Sequence, residues 1–161
     1  MKSRRSTSIL LVLSCAAVLG LAGSGDAPAA ALESRLTIPI AGTVDGGAES
    51  VSLSGSLLIV CEAIAADTTL ASPKARLAIA VVNVSGVGLM SGAKYVVTGE
   101  DRLLRQLSLS DHLDVLFPFY RVSDGPGSAR SAMASITLTF DLTARSLKSA
   151  TATFGAPKLP A

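Results

Sequence analysis

The sequence predicts an all-β domain: a single antiparallel β-sandwich or small barrel of about eight strands, with one short helix or 3-10 turn near residues 110–117. Three observations predict it. Hydrophobic residues recur with period two through most of the chain, which places them on one face of a strand. Glycine- and aspartate-containing turn signals separate these stretches at the spacing of a sandwich or barrel. The region carrying the pattern is about 130 residues long, enough to bury one core without disulfides or metals.

Residues 1–31 stand apart and read as a signal peptide. Lys2, Arg4 and Arg5 precede an apolar run from Ile9 to Ala22, and Ala27 to Ala31 supply small residues for cleavage after Ala29 or Ala31. The run is short for a membrane span, which takes about 20 residues. No transmembrane segment is expected once the signal is removed, and the protein is expected to be secreted or periplasmic. Val12-Leu-Ser-Cys15 offers an alternative, a lipoprotein anchored at Cys15, although apolar residues continue past the cysteine. The Ala/Gly-rich composition points to a bacterial source. Residues 32–154 form the single β-rich domain, and 155–161 a flexible C-terminal tail.

Within the domain, Leu36, Ile38, Ile40 and Val44 alternate with polar residues, and Pro39 suggests an edge strand. Asp45-Gly46-Gly47 is a hairpin turn, followed by the alternating Val51, Leu53, Leu57 and Ile59. Residues 75–84 are apolar on both faces, as in a central strand covered on both sides. Ala93–Gly99, Arg102–Leu109 and Phe117–Val122 contain shorter strands. Ile136, Leu138, Phe140 and Leu142 alternate with Thr137, Thr139 and Asp141. After a turn at Thr143–Ser146, Ala150, Ala152 and Phe154 complete a C-terminal hairpin. The helix is placed where Leu109, Leu113, Leu116 and Phe117 fall at i, i+4, i+7 and i+8, with Ser110 as cap and Asp111 and Asp114 in the first turn.

Charge and cysteine content exclude several functions. The signal holds three of the 14 basic and one of the 12 acidic residues, so the remainder is neutral and has no electrostatic footprint for nucleic acid. Only Cys61 lies beyond the signal, so no internal disulfide forms there; at the end of Leu57–Val60 it is expected to be buried and inert. With one histidine and one remaining cysteine, no zinc site is expected. Gly86 to Lys94 fails as a phosphate loop because Ala93 separates Gly92 from the lysine and Tyr95 replaces the Ser/Thr. Glu100, Asp101, Asp111 and Asp114 are rich in oxygen but lack calcium-loop spacing. The absence of tryptophan argues against a sugar-stacking module and an outer-membrane barrel.

The stretch Ser108–Tyr120 contains Ser110, Asp111, His112 and Asp114. On a helix these side chains fan apart. On a strand Ser110, His112 and Asp114 share a face about 6.6 Å apart, too far for a hydrogen-bonded relay. No catalytic residue, cofactor or metal is therefore expected, and His112 reads as structural or solvent-facing. If a ligand binds, the aromatic cluster beside it is the candidate: His112, Phe117, Phe119, Tyr120 and Arg121. The leading expectation is an exported, non-enzymatic domain acting by surface contact, an envelope, matrix or adhesion-type component. The alternative is a binding module for a small apolar ligand, and a hydrolase comes third. A protein partner or a second copy of the chain would be the counterpart.

Overall fold

The computed structural model describes residues 33–64 and 73–155. The signal segment with Cys15, and the tail from residue 156, lie outside these. Eight strands follow in order: β1 Glu33–Asp45, β2 Ser50–Ile64, β3 Lys74–Gly88, β4 Lys94–Val97, β5 Glu100–Gln106, β6 Ser110–Arg121, β7 Arg130–Asp141 and β8 Ser146–Gly155. A 3-10 turn at Pro126–Ser128 joins β6 to β7.

Seven strands close into a barrel in the order β2-β1-β8-β7-β6-β4-β3, with β3 returning to β2, and β5 is an extra strand on β3. The architecture is thus the barrel rather than the sandwich. It is mixed rather than wholly antiparallel, because β1 and β8 run parallel where Ile40, Ala41 and Gly42 pair with Ala152, Thr153 and Phe154. That short ladder corrects the reading of β1 as an edge strand: β2 lies along one side and β8 along the other. Pro39, without an N–H, sits just before the ladder begins.

The alternation read from the sequence decides which side chains face inward. Ile38, Ile40 and Val44 from β1 meet Val51, Leu53, Leu57, Ile59 and Cys61 from β2, and Ala132, Ala134, Ile136, Leu138 and Phe140 from β7, in one continuous apolar cluster. No polar or charged residue is buried among the described residues. Outward positions are mostly Ser, Thr and charged residues, so the barrel is apolar within and polar without, the inverse of a membrane-spanning barrel. No helix among the described residues is long and apolar enough to cross a membrane.

Two further sequence expectations are overturned. β3 is not covered on both sides: Ala78, Ala80 and Val82 are half-exposed on the outer surface of a single layer. Its double-sided apolarity comes partly from a bulge. The pairing with β2 shifts between Ser54 and Ser56, and Asn83 opposite takes a φ of 52°, so Val84 rather than the next residue in phase turns inward. The second correction concerns 110–117, which is not helical but forms most of β6 and pairs with β7 from Ser110↔Thr139 to Phe119↔Arg130. Leu113 and Phe117 satisfy a helical stripe and a strand alternation equally; Val115 and Phe119 satisfy only the strand, and both are buried. The other two members of the helical stripe, Leu109 and Leu116, are 65% and 58% exposed. A long ladder and four inward side chains outweigh one cap and one turn of helix.

Beyond Gly99 the barrel wall divides. β5 follows β3 and β6 follows β7, and no ladder joins β5 to β6. The far end of this seam is clasped by Arg105, whose Nε and Nη2 donate to the two carboxylate oxygens of Asp111 at 2.8 and 2.7 Å. The bonds from Arg105 hold the Asp111 carboxyl below its ordinary range, against the opposing effect of partial burial. A carboxyl depressed in the folded state contributes stability above its unfolded pKa and loses it as pH falls through the depressed value. Because the Arg105 side chain is 42% exposed, solvent screens the pair. Asp111→Asn is therefore expected to cost about 0.5–1 kcal/mol near neutral pH. That deficit should persist down to about pH 4, the ordinary carboxylate value, and shrink only as pH falls further, through the depressed value of the folded state. A deficit unchanged with pH would show that the clasp is not ionic.

Cys61 is fully buried, with 0% exposure. Burial pushes its thiol pKa up, and a bond from Ser34 offsets this in part. Thiol-specific reagents are expected to label it in the native state only at the rate of barrel opening. Rapid labelling in stopped-flow measurements would contradict the packing described.

Candidate functional site

With the interior apolar and filled, any polar chemistry must lie on the surface. At the end of the barrel opposite the Arg105–Asp111 pair, the inward-facing columns run out into polar residues around an open cleft. In β6 the inward series Leu113, Val115, Phe117, Phe119 continues to Arg121; in β7 the series from Phe140 back to Ala132 continues to Arg130. In β4 the inward residue at this end is Tyr95, with Val97 deeper in the core, and the β1–β2 turn contributes Glu49, in phase with Val51 and Leu53. Together with Gly46, Ala48, Met90, Ser91, Phe119, Tyr120, Asp124 and Ser128, these residues line an open cleft of about 460 Å³, the mouth of the barrel.

Turn chemistry builds the mouth. Asp45 accepts a hydrogen bond from the Gly47 N–H at 2.7 Å and Gly46 donates to the Glu49 carbonyl at 2.9 Å, so the Asp-Gly signal does form the hairpin turn. Glu49 then latches this turn to the next. Its carboxylate accepts from the N–H groups of Met90 and Ser91 at 2.9 and 2.8 Å, from the Ser91 hydroxyl, and from the Tyr95 hydroxyl at 3.5 Å. The Ser91 hydroxyl and then the two amides hold the Glu49 carboxyl below its usual range, with the charge of Arg121 adding to them and desolvation opposing. Tyr95 packs against Phe119 with ring centroids 6.1 Å apart and planes tilted by 47°. On the third side the chain reverses through the 3-10 turn, with Asp124 and Gly125 donating to the Arg121 carbonyl at 3.0 and 3.2 Å.

The five residues suggested by the sequence divide between two places. Phe119, Tyr120 and Arg121 reach the mouth. Phe117 is 1% exposed and belongs to the core. His112 lies on the outer wall, its Nδ1 3.3 Å from Thr137 Oγ1 and its Nε2 3.5 Å from Asp114 Oδ1. The spacing of about 6.6 Å along a strand argues against a hydrogen-bonded relay among these neighbours. The side chains lean together to ion-pair range, but Asp114 also accepts from the Ser135 hydroxyl at 2.6 Å, and among the described residues no serine is hydrogen-bonded to His112. His112→Ala is expected to change stability by less than about 0.5 kcal/mol in chemical denaturation. A larger loss would give this surface group a structural role.

Arg130, Glu49 and Tyr95 were missed because nothing local marks them. The available signal was strand parity: Arg130 stands two residues before Ala132, as Arg121 stands two after Phe119. The four acidic residues considered for calcium do not converge. Glu100 pairs with Arg102, Asp111 with Arg105, and Asp114 with His112. No group of three or more His, Cys, Asp or Glu side chains among the described residues is placed to hold a metal ion. Fold and site together define a filled mixed β-barrel with one polar, arginine-bearing mouth. Comparison with family models, curated proteins and solved structures finds no match for this chain.

Proposed function

We propose that this is an exported, non-enzymatic domain that works by contact, secreted or held in the periplasm, and that the mouth of the barrel is its contact end. One observation carries the reading: at one end of the barrel the inward columns of β6 and β7 run out into Arg121 and Arg130, which form no ion pair among the described residues, beside Tyr95 and Glu49 where three turns meet, whereas the inward polar residues of the other end, Arg105 and Asp111, pair with each other. A filled interior also weighs against the alternative, a small apolar ligand held inside the barrel, since such a ligand would have to displace core side chains. Export rests on the order of basic, apolar and small residues in 1–31, and gives a mature chain that begins at Ala30 or Leu32.

The test has two parts. Mass spectrometry of the protein from fractionated cells should find the new N-terminus outside the cytoplasm; a cytoplasmic chain with residues 1–31 intact would overturn export. Amide resonances of the isotope-labelled mature protein should then be followed while small organic probes are added, neutral and anionic. Shifts confined to residues 46–49, 90–91 and 119–130 support the mouth as contact end. Shifts centred on core positions such as Leu57, Ile136 or Phe140 would favour the interior ligand instead.

A further inference from the structure

Arg121 and Arg130 occupy related positions. Phe119 pairs with Arg130 across the β6–β7 ladder, so Arg121, two residues further along β6, is the diagonal neighbour of Arg130 on the same inward face. Diagonal neighbours in a sheet lie about 7–8 Å apart, within reach of long side chains. Two guanidinium groups so placed repel each other unless something negative lies between them, and neither has a carboxylate within 4.0 Å among the described residues. Of the two acidic residues of the mouth, Glu49 is felt by Arg121 through its charge but lies outside ion-pair distance, and neither bridges the two guanidinium groups. Glu49 is engaged by the donors of the β3–β4 turn, and Asp124 at the rim accepts from the Ser123 hydroxyl at 2.7 Å.

The mouth also leaves room for the Arg130 side chain. A Cβ on Gly47 would stand 2.2 Å from Arg130 Nη1, and Gly47 has a φ of 89°, so this glycine provides both the turn and the space for the guanidinium. Arginine, unlike lysine, presents a planar fork that matches an oxyanion in two-point fashion. The cleft, at about 460 Å³, has the size of a small-molecule site.

We propose that the mouth is an anion site, in which Arg121 and Arg130 together hold the carboxylate, phosphate or sulfate group of a small organic ligand, with the Met90 side chain and the Tyr95 ring edge beside its apolar part. This rests on the reading of the mouth as the contact end and names the chemistry of what is contacted.

The experiment uses the mature protein and four probes, the anions inorganic phosphate, phenyl phosphate and benzoate and the neutral control phenol, each titrated at constant ionic strength and followed by thermal denaturation and amide shifts. Saturable stabilisation by at least one anion is expected, with phenyl phosphate binding more tightly than phosphate if the organic part is recognised. Arg121→Ala and Arg130→Ala should each weaken binding about tenfold or more. Arg130→Lys should recover part of it, because the charge remains without the fork. Lys148→Ala, at the opposite end, removes the same charge and should leave affinity unchanged. No saturable effect from any of the anions, or equal effects in the wild type and the Arg121→Ala/Arg130→Ala double variant, would overturn the proposal. If neutral phenol shifts the mouth resonances and none of the anions does, the anion assignment falls while the mouth as contact end stands.

Discussion

Replacement of Phe117 by alanine is expected to destabilise the barrel by about 3–5 kcal/mol, the range for emptying a buried aromatic position. Phe117 is inward on β6 and wholly enclosed. Its neighbours make the experiment decisive about local structure. If 110–117 were helical, Leu116 would be buried and Val115 would not. In the barrel Val115 is 2% exposed and Leu116 lies outside. Val115→Ala should therefore cost about 2 kcal/mol, the loss of two methyl groups from a packed site, and Leu116→Ala less than about 0.5. Urea denaturation of the three variants reads both numbers. A costly Leu116→Ala beside a neutral Val115→Ala would restore the helix.

Gly42→Ala is expected to cost at least about 3 kcal/mol, combining overpacking with lost ladder hydrogen bonds. A Cβ at this position would lie 2.1 Å from the Phe154 carbonyl oxygen, 2.8 Å from its carbon and 3.0 Å from its Cα. These are backbone atoms, so no rotamer change relieves the clash, and β1 must move away from β8. The ladder that closes the barrel is only three residue pairs long, with Gly42 as one of them. Gly127→Ala, where a new Cβ meets nothing within 4 Å, is the control and should be neutral. Amide exchange at residues 40–42 and 152–154 should accelerate in the Gly42 variant and not in the control. Unchanged stability would mean that β1 and β8 do not meet in this register.

The strands and their inward faces were legible from the sequence because period-two alternation is a local property. Leu36 to Val44, Val51 to Ile59 and Ile136 to Phe140 each carry their orientation within a few residues. The turn at Asp45–Gly47 was legible for the same reason. Leu109–Phe117 was not, because two of its four apolar positions fit both periods and the arbiter, β7, begins thirteen residues after Phe117. Closure was hidden more deeply: a three-residue parallel contact leaves no trace in either strand except a glycine, and glycines have many uses. At the mouth, Arg121 was visible as part of an aromatic cluster. Arg130, Glu49 and Tyr95 join it only because three turns from separate hairpins end at one rim.

The pairing of β1 with β8 also constrains the order of assembly. The two staves that complete the ring are the first and the last strands, so closure is the contact of greatest sequence separation, and such contacts slow folding because a long loop must be ordered before they form. Adjacent hairpins such as β2–β3 and β7–β8 can form early, but the ring stays open until the chain is complete through Phe154. A chain ending before Ser146 would not make a smaller barrel. It would carry two bare strand edges, on β1 and β7, each able to pair with another chain. The fate expected of such a fragment is self-association, with the last ten residues of the sheet acting as the cap that keeps the protein to itself.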